Sequence, residues 1–229
     1  MTDIHSHILP FVDDGSDSVE KSLQLVKTLA EQGVKRIILT PHFKKSAFET
    51  ETAKIKEVFN DFCNSVKNLG LGVELYLGQE IFFNDSVYDL FSEGKLLTIN
   101  DSKYVLLEFD YFQFQDVEDY VYNLKVMGYV PVIAHVERYT YLDVKSMMSL
   151  SKMGALLQVN SACILGKYGK KLQKKVFSLI KAGCVDFIAS DMHYDRQTSL
   201  TESYSVIKKR FGLDIAEKLY KTNAQIFFS

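Results

Sequence analysis

The chain has 229 residues, of which 47% are hydrophobic and 24% charged, and its formal net charge is −2. A chain of this length can bury a large core, and its charge lacks the basic excess with which nucleic-acid-binding proteins neutralise phosphates. We find no signal peptide, no apolar run long enough to span a bilayer and, among three cysteines, no C-x-x-C pair. We therefore expect a cytoplasmic protein without nucleic-acid partners or membrane insertion.

Short apolar segments alternate with amphipathic segments along the chain. Seven apolar segments, bounded by polar, glycine or proline positions, predict buried strands at Thr2–His5, Arg36–Thr40, Val73–Leu77, Tyr104–Glu108, Val130–Ala134, Ala155–Val159 and Val185–Ala189. Leucine and valine at helical spacing predict helices at Ser18–Gln32, Ala53–Leu69, Asp85–Phe91, Asp116–Met127, Val144–Met153, Lys171–Ala182 and Glu202–Phe211. This alternation, without a linker, predicts one α/β domain over residues 1–229. An α/β barrel is the predicted architecture, and a doubly wound open sheet is the alternative.

The histidines and several acidic residues share one position relative to the predicted strands. All five histidines come at or just after the carboxyl end of a strand, namely His5, His7, His42, His135 and His193. The equivalent acidic positions are Glu80, Glu108 and Asp191. One histidine in such a place is commonly a hydrogen-bonded structural residue, but five independent placements indicate a shared site. In α/β barrels the carboxyl ends of the strands form a single rim, so these side chains should meet there.

The ligand types indicate the chemistry of this site. Imidazole and carboxylate groups without thiolates suit Mn²⁺, Fe²⁺ or Zn²⁺, and there are more of them than one ion needs. We therefore expect two or three divalent cations. Closely spaced cations lower the pKa of a bridging water and hold both the attacking and the leaving oxygen of a phosphoryl displacement. The sequence thus predicts a metal-dependent phosphatase in which a metal-bridging hydroxide attacks phosphorus. A cysteine-based tyrosine phosphatase is excluded, because no cysteine is followed six residues later by arginine.

Six strings of the sequence carry a family resemblance. They are DIHSHILPFVDDGS, TPHF, GQEI, LLEF, VIAHVERY and ASDMH, in that order along essentially the whole chain. They resemble the polymerase-and-histidinol-phosphatase (PHP) superfamily and, more narrowly, the manganese-dependent tyrosine-protein phosphatases of bacterial capsule and exopolysaccharide operons. The resemblance implies a distorted, TIM-like (β/α)7 barrel with a trinuclear metal centre.

The resemblance also implies which residues bind each ion. The first ion would be held by His5, His7, Glu80 and Asp191. Glu80 would bridge to a second ion, which is completed by Glu108 and His135. The third would be held by Asp14, His42 and His193. Asp14 is expected as the ligand rather than Asp13, because it directly precedes Gly15, as the corresponding ligand does elsewhere in the family.

The same resemblance implies a substrate, and residues near the proposed ligands could bind it. Arg138 and Arg196 each follow a proposed ligand and look like a clamp for the phosphoryl oxygens. The substrate would be a phosphotyrosine, on a bacterial tyrosine kinase of polysaccharide export. An apolar lip for the phenol ring is expected from four residues after Glu108, namely Phe109, Tyr111, Phe112 and Phe114.

Three other functions stay open on the sequence. A small-molecule phosphatase of the same superfamily, acting on histidinol phosphate or another phosphoester, is the nearest. An amidohydrolase also has an H-x-H pair and a terminal aspartate, but no lysine stands where a carbamylated bridging ligand would lie. An inactive metal-binding regulator is disfavoured by the full ligand set and by Arg138.

Overall fold

Parallel strands form the centre of the molecule, which is described by a computed structural model for residues 1–196 and 198–228. Nine strand segments are present in this part of the chain. They are β1 (Thr2–Asp3), β2 (Arg36–Leu39), β3 (His42–Phe43), β4 (Glu74–Leu77), β5 (Glu80–Phe82), β6 (Tyr104–Glu108), β7 (Val130–Ile133), β8 (Leu156–Asn160) and β9 (Phe187–Ala189). Every pairing between them is parallel.

The nine segments occupy seven strand positions around a barrel. The pairing orders are β1-β2-β4 and β3-β5-β6-β7-β8-β9, and β3 and β5 continue β2 and β4 after two residues each. A parallel bridge between Ser6 and Met192 joins the first position to the last. The predicted α/β barrel is therefore confirmed. The continuations β3 and β5 were not predicted, because Pro41, which has no N–H, and Gly78 interrupt the apolar runs.

Helices surround the barrel. They are α1 (Val19–Glu31), α2 (Thr52–Lys67), α3 (Val87–Ser92), α4 (Val117–Val126), α5 (Val144–Lys152), α6 (Ser161–Ile164), α7 (Lys170–Lys181), α8 (Leu200–Phe211) and α9 (Leu213–Glu217). The seven predicted helices are all present, whereas the short helices α6 and α9 were missed because four or five residues give no readable period. None of the described helices is long and apolar enough to cross a bilayer.

Two apolar clusters decide where a site can lie. The larger fills the space between the strands and the surrounding helices. The smaller contains Ile38, Leu106 and Val132 from the strands together with Phe227 of the C-terminal 3₁₀-helix Asn223–Phe227. Because Leu106 belongs to the smaller cluster, the alternation of a strand turns Glu108 to the same side, two residues nearer the carboxyl end. The carboxyl end of the barrel is thus the end where polar side chains collect.

Candidate metal centre

Four of the predicted ligands meet at the carboxyl end of the barrel. Nε2 of His5 lies 3.1 Å from Nε2 of His7. Oε1 of Glu80 lies 3.2 Å from Nε2 of His5, and Oε2 of Glu80 lies 3.2 Å from Nε2 of His7. Oδ1 of Asp191 lies 3.7 Å from the His5 nitrogen and 3.6 Å from the His7 nitrogen. The side chains that were expected to share an ion are therefore neighbours.

Glu80 also faces a second group of ligands. Its Oε1 atom lies 2.8 Å from Nε2 of His135, and that nitrogen lies 3.7 Å from Oε1 of Glu108. Its Oε2 atom lies 2.9 Å from Nδ1 of His42. Glu80 is almost completely buried. Its two oxygens contact both groups of ligands, which is the position that a bridging ligand requires.

The remaining predicted ligands form a third group. Oδ1 of Asp14 lies 3.7 Å from Nε2 of His42 and 3.6 Å from Nε2 of His193. His42 thus faces Asp14 with one ring nitrogen and Glu80 with the other. Ligand atoms within 4.8 Å of one another come from His7, Asp14, His42 and His193. The structure therefore brings all nine predicted ligands into one connected cluster.

The hydrogen bonding of these side chains suits metal ions. In His5, His7 and His193, Nδ1 donates to a protein oxygen, which leaves Nε2 with a lone pair directed into the cluster. Two such nitrogens at 3.1 Å favour a cation between them. Three ligand atoms in the described part of the chain are buried without a hydrogen-bond partner, namely Nε2 of His193, Oε2 of Glu80 and Nδ1 of His42. The last two lie 2.9 Å apart, but their angles do not fit a hydrogen bond. Nitrogen and carboxylate donors in this arrangement fit divalent cations.

The charges of the cluster also favour cations. Burial opposes ionisation of Glu80, but His5 and His42 outweigh that effect and hold its pKa well below the usual value. Contact with His193 is the main reason why the pKa of Asp14 is lowered. Burial likewise disfavours a proton on His5, yet Glu80 raises the pKa of this histidine. A metal ion would compete with that proton, so metal binding releases protons.

The neighbouring residues Asp13 and Asp14 have different surroundings. Oδ2 of Asp13 accepts hydrogen bonds from Nδ1 of His7 at 2.7 Å and from the backbone N–H of His42 at 2.9 Å. Its Oδ1 atom accepts from the backbone N–H of Gly15 at 2.9 Å. A Cβ atom on Gly15 would lie 2.0 Å from the carbonyl oxygen of His7, so this turn requires glycine. Both oxygens of Asp13 are therefore engaged by hydrogen bonds, whereas Oδ1 of Asp14 faces ring nitrogens of His42 and His193.

Sequence analysis missed two amide side chains of β8. Oε1 of Gln158 accepts hydrogen bonds from Nδ1 of His5 at 3.1 Å and from the backbone N–H of His135 at 2.8 Å. Nε2 of Gln158 donates to Oδ1 of Asn160, and Nδ2 of Asn160 donates to Oδ2 of Asp191, both at 2.7 Å. This relay fixes ligands of two groups. Its signal in the sequence is a pair of amides in an otherwise apolar strand, where burial requires hydrogen-bond partners.

Arg138, the first predicted phosphate-binding arginine, reaches the cluster. Its Nη2 atom lies 3.0 Å from Oδ2 of Asp191, and its Nη1 atom donates to the phenol oxygen of Tyr111 at 3.1 Å. The guanidinium also lies over the rings of Tyr111 and Tyr168, at 5.7 and 5.6 Å from their centroids. Its orientation is therefore fixed from three sides.

Arg196, the second predicted arginine, lies outside this network. Its side chain is exposed, and Nε lies 3.6 Å from Oδ1 of Asp195. Its backbone N–H donates to the carbonyl oxygen of His193 at 3.3 Å. Burial, then the charge of His7 and, more weakly, the charge of Arg196 lower the pKa of His193. Arg196 is thus near the third group, but its guanidinium has no polar contact with a predicted ligand among the described residues.

The four aromatic residues of the expected lip differ in their burial. Phe109 is fully buried in the main core, and Tyr111 is largely buried with its ring 5.6 Å from that of His135. Phe112 and Phe114 are exposed. Phe112 and Phe114 are therefore on the surface, whereas Phe109 belongs to the larger apolar cluster.

Comparison with solved structures defines the class of protein. The chain superposes with a TM-score of 0.93 and 30% identity on a crystal structure of the metal-dependent tyrosine phosphatases YwqE from Bacillus subtilis and CpsB from Streptococcus pneumoniae. The match covers 100% of this chain and 94% of that chain. Histidinol phosphate phosphatase from Lactococcus lactis, at 14% identity and a TM-score of 0.55, covers 91% of this chain and 92% of its own and shares the fold alone. The fold is that of a barrel-shaped metal-dependent phosphatase.

The chain belongs to the family described as "Capsular polysaccharide synthesis, CpsB/CapC", which matches residues 1–229. It is 32% identical over 231 residues to tyrosine-protein phosphatase YwqE of Bacillus subtilis (strain 168), covering 99% of this chain and 91% of that protein. It is 33% identical over 233 residues to tyrosine-protein phosphatase CpsB of Streptococcus pneumoniae, covering 97% and 96%. The family resemblance drawn from the sequence strings is confirmed.

Proposed function

We propose that this chain is a metal-dependent phosphomonoester hydrolase that acts on phosphotyrosine in proteins. The observation that carries the proposal is the meeting of His5, His7 and Glu80 with Asp191, to which Arg138 is bound. Divalent cations beside a guanidinium suit a phosphoryl group, because both neutralise its oxygens. The chain's relatives, named tyrosine-protein phosphatases, support phosphotyrosine as the substrate.

The metal ligands belong to the same proposal. Two or three cations would be held by His5, His7, Asp14, His42, Glu80, Glu108, His135, Asp191 and His193. Glu80 would serve two ions, and His42 lies where it can complete the second or the third group. Manganese is the proposed metal, with iron or zinc as alternatives that this ligand set also accepts. When bound, such ions lower the pKa of a water molecule towards neutrality and so supply the nucleophile.

The chain's own residues would bind and orient the phosphoryl group. Burial disfavours the charge of Arg138, but Asp191 raises its pKa, so the guanidinium stays protonated. Two of its N–H groups are engaged by Asp191 and Tyr111, which leaves others for phosphoryl oxygens. Arg196, exposed beside the third group, is proposed as an outer contact for the same phosphate. Gln158 would hold His5 and the backbone of His135 in place.

The proposed protein substrate is a bacterial tyrosine kinase of polysaccharide export. The family's description, capsular polysaccharide synthesis, supports this part of the proposal. We also propose that the reaction takes place in the cytoplasm. In support, Cys63, Cys163 and Cys184 are free thiols, which suits a reducing compartment.

Metal quantification paired with turnover tests this function. The protein is stripped with a chelator, reloaded with Mn²⁺, Fe²⁺ or Zn²⁺, and assayed on a phosphotyrosyl peptide and on histidinol phosphate. We expect two or three ions per chain and a preference of about 100-fold for the peptide. His135→Ala and Asp191→Ala should abolish turnover and leave the circular dichroism spectrum unchanged. A preference for histidinol phosphate would support the small-molecule alternative, and a protein without metal under replete conditions would refute the proposal.

A further inference from the structure

Two phenylalanine rings stand exposed in the loop that follows β6. The side chain of Phe112 is 78% exposed and that of Phe114 is 75% exposed, more than any other large apolar residue in the described part of the chain. Burying such a ring gains about 1.5–3 kcal/mol, so two such rings two positions apart in one exposed loop indicate a contact with another molecule.

Hydrogen bonds hold this loop in shape. Oδ1 of Asp110 accepts from the backbone N–H groups of Phe112 at 2.8 Å and Gln113 at 2.7 Å. The carbonyl oxygen of Tyr111 accepts from both the N–H and the hydroxyl group of Thr140, each at 2.9 Å. The rings are therefore presented outward by a structured turn, which lowers the entropy cost of binding through them.

Ring contacts connect both phenylalanines to the metal centre. Phe112 lies 6.4 Å from the ring of Tyr111, which lies 5.6 Å from that of His135. Phe114 lies 5.8 Å from Tyr141, which is joined to His135 through a single intervening ring at 6.1 Å from each. The exposed rings are thus the outer ends of two series of ring contacts that start at a predicted metal ligand, the second of which passes through the buried Tyr139.

We propose that Phe112 and Phe114 form a docking rim for apolar side chains that flank the phosphotyrosine of the substrate. The inference rests on the proposed function and adds the kind of sequence that the site selects. An extended peptide rises about 3.3 Å per residue, so the ring contacts place Phe112 within about four residues of His135 and Phe114 within about six. A free aryl phosphate has no such residues and does not use the rim.

Turnover of three substrates tests the rim. They are p-nitrophenyl phosphate, a phosphotyrosyl peptide flanked by leucines, and the same peptide flanked by serines. In the wild-type protein kcat/KM for the leucine peptide should exceed that for the serine peptide by about tenfold. The double variant Phe112→Ser/Phe114→Ser should lose this preference, which is taken as the ratio of kcat/KM for the two peptides so that any change shared with p-nitrophenyl phosphate cancels. Tyr122→Ser, at a 61% exposed aromatic residue of α4, is the matched control and should keep the preference.

Binding is measured separately from turnover, with the same peptides carrying non-hydrolysable phosphonomethyl-phenylalanine. The leucine peptide should bind the wild-type protein about tenfold more tightly than the serine peptide, and the double variant should bind both alike. Equal affinities in the wild-type protein, a preference that survives the double variant, or a change of oligomer mass in that variant would overturn the rim. If no phosphate ester is hydrolysed while the binding preference is present, the proposed function fails and the rim stands.

Discussion

Replacement of Tyr111 by phenylalanine tests how the arginine is held over the metals. The phenol donates a hydrogen bond to Oε1 of Glu108 and accepts one from Nη1 of Arg138. Burial, followed by the charge of Glu108, raises the pKa of Tyr111 above its ordinary value. The substitution retains the ring and removes both hydrogen bonds. It leaves Arg138 with Asp191 as its one remaining polar partner in the described structure.

The size of the effect follows from the type of hydrogen bond. A hydrogen bond to a charged group contributes about 1.5–3 kcal/mol. If Tyr111→Phe loses that much of the stabilisation of the transition state, kcat falls by roughly 10- to 150-fold. The pH dependence of kcat near neutral pH should not change, because burial raises the pKa of the phenol above its ordinary value. Tyr168→Phe is the matched control: it faces the same guanidinium, and its hydroxyl makes no hydrogen bond in the described structure.

A double-mutant cycle separates this role from a general loss of structure. Arg138→Lys removes the planar fork and keeps the charge. If Tyr111 acts by holding Arg138, adding Tyr111→Phe to Arg138→Lys should cost little beyond the single lysine variant. Steady-state kinetics with p-nitrophenyl phosphate under saturating Mn²⁺ give kcat and KM for the four proteins. Losses that multiply in the double variant, or an equal loss in Tyr168→Phe, would refute the reasoning.

Three further predictions use other parts of the site. Gly15→Ala should lower the metal content per chain in elemental analysis, because the added Cβ would lie 2.0 Å from the carbonyl oxygen of His7. An unchanged number of ions per chain would count against a role for Gly15 in placing His7. Iodoacetamide should leave turnover intact, since burial raises the pKa of Cys63, Cys163 and Cys184; inactivation with metals retained would indicate a thiol mechanism. Arg196→Gln should reduce kcat/KM less than about tenfold and Arg138→Gln more than about 100-fold, and equal losses would contradict the difference in their contacts.

The barrel, and the meeting of the five histidines with Glu80, Glu108 and Asp191, were predictable from the sequence for one physical reason. The carboxyl ends of parallel strands meet at one end of a barrel, so ligands far apart in the chain need only a common place relative to their strands. His5 and His193 satisfy this rule from opposite ends of the chain. The continuations β3 and β5 were not readable, because a proline and a glycine interrupt the apolar pattern while the strand direction continues through them.

The side chains that support the ligands were not readable from the sequence. Gln158 is one amide in an apolar strand, and no period or motif shows that its oxygen accepts from both His5 and His135. The different contacts of Asp13 and Asp14 were not readable either. These contacts depend on the close approach of Gly15 to the carbonyl oxygen of His7, and no local sequence preference shows that approach.

Backbone strain at two of the predicted ligands bears on how the cluster is held. His135 has a φ of 32° and Asp191 a φ of 52°, both in the left-handed region that side chains other than glycine disfavour. Such a residue costs about 1–3 kcal/mol unless its surroundings impose the conformation. Here the N–H of His135 donates to Gln158 at 2.8 Å, and the N–H of Asp191 donates to the carbonyl oxygen of His5 at 2.9 Å. The barrel therefore imposes these two conformations against local preference. Because both occur where a side chain must turn from a strand towards the cluster, the strain is best explained by the need to place a ligand there.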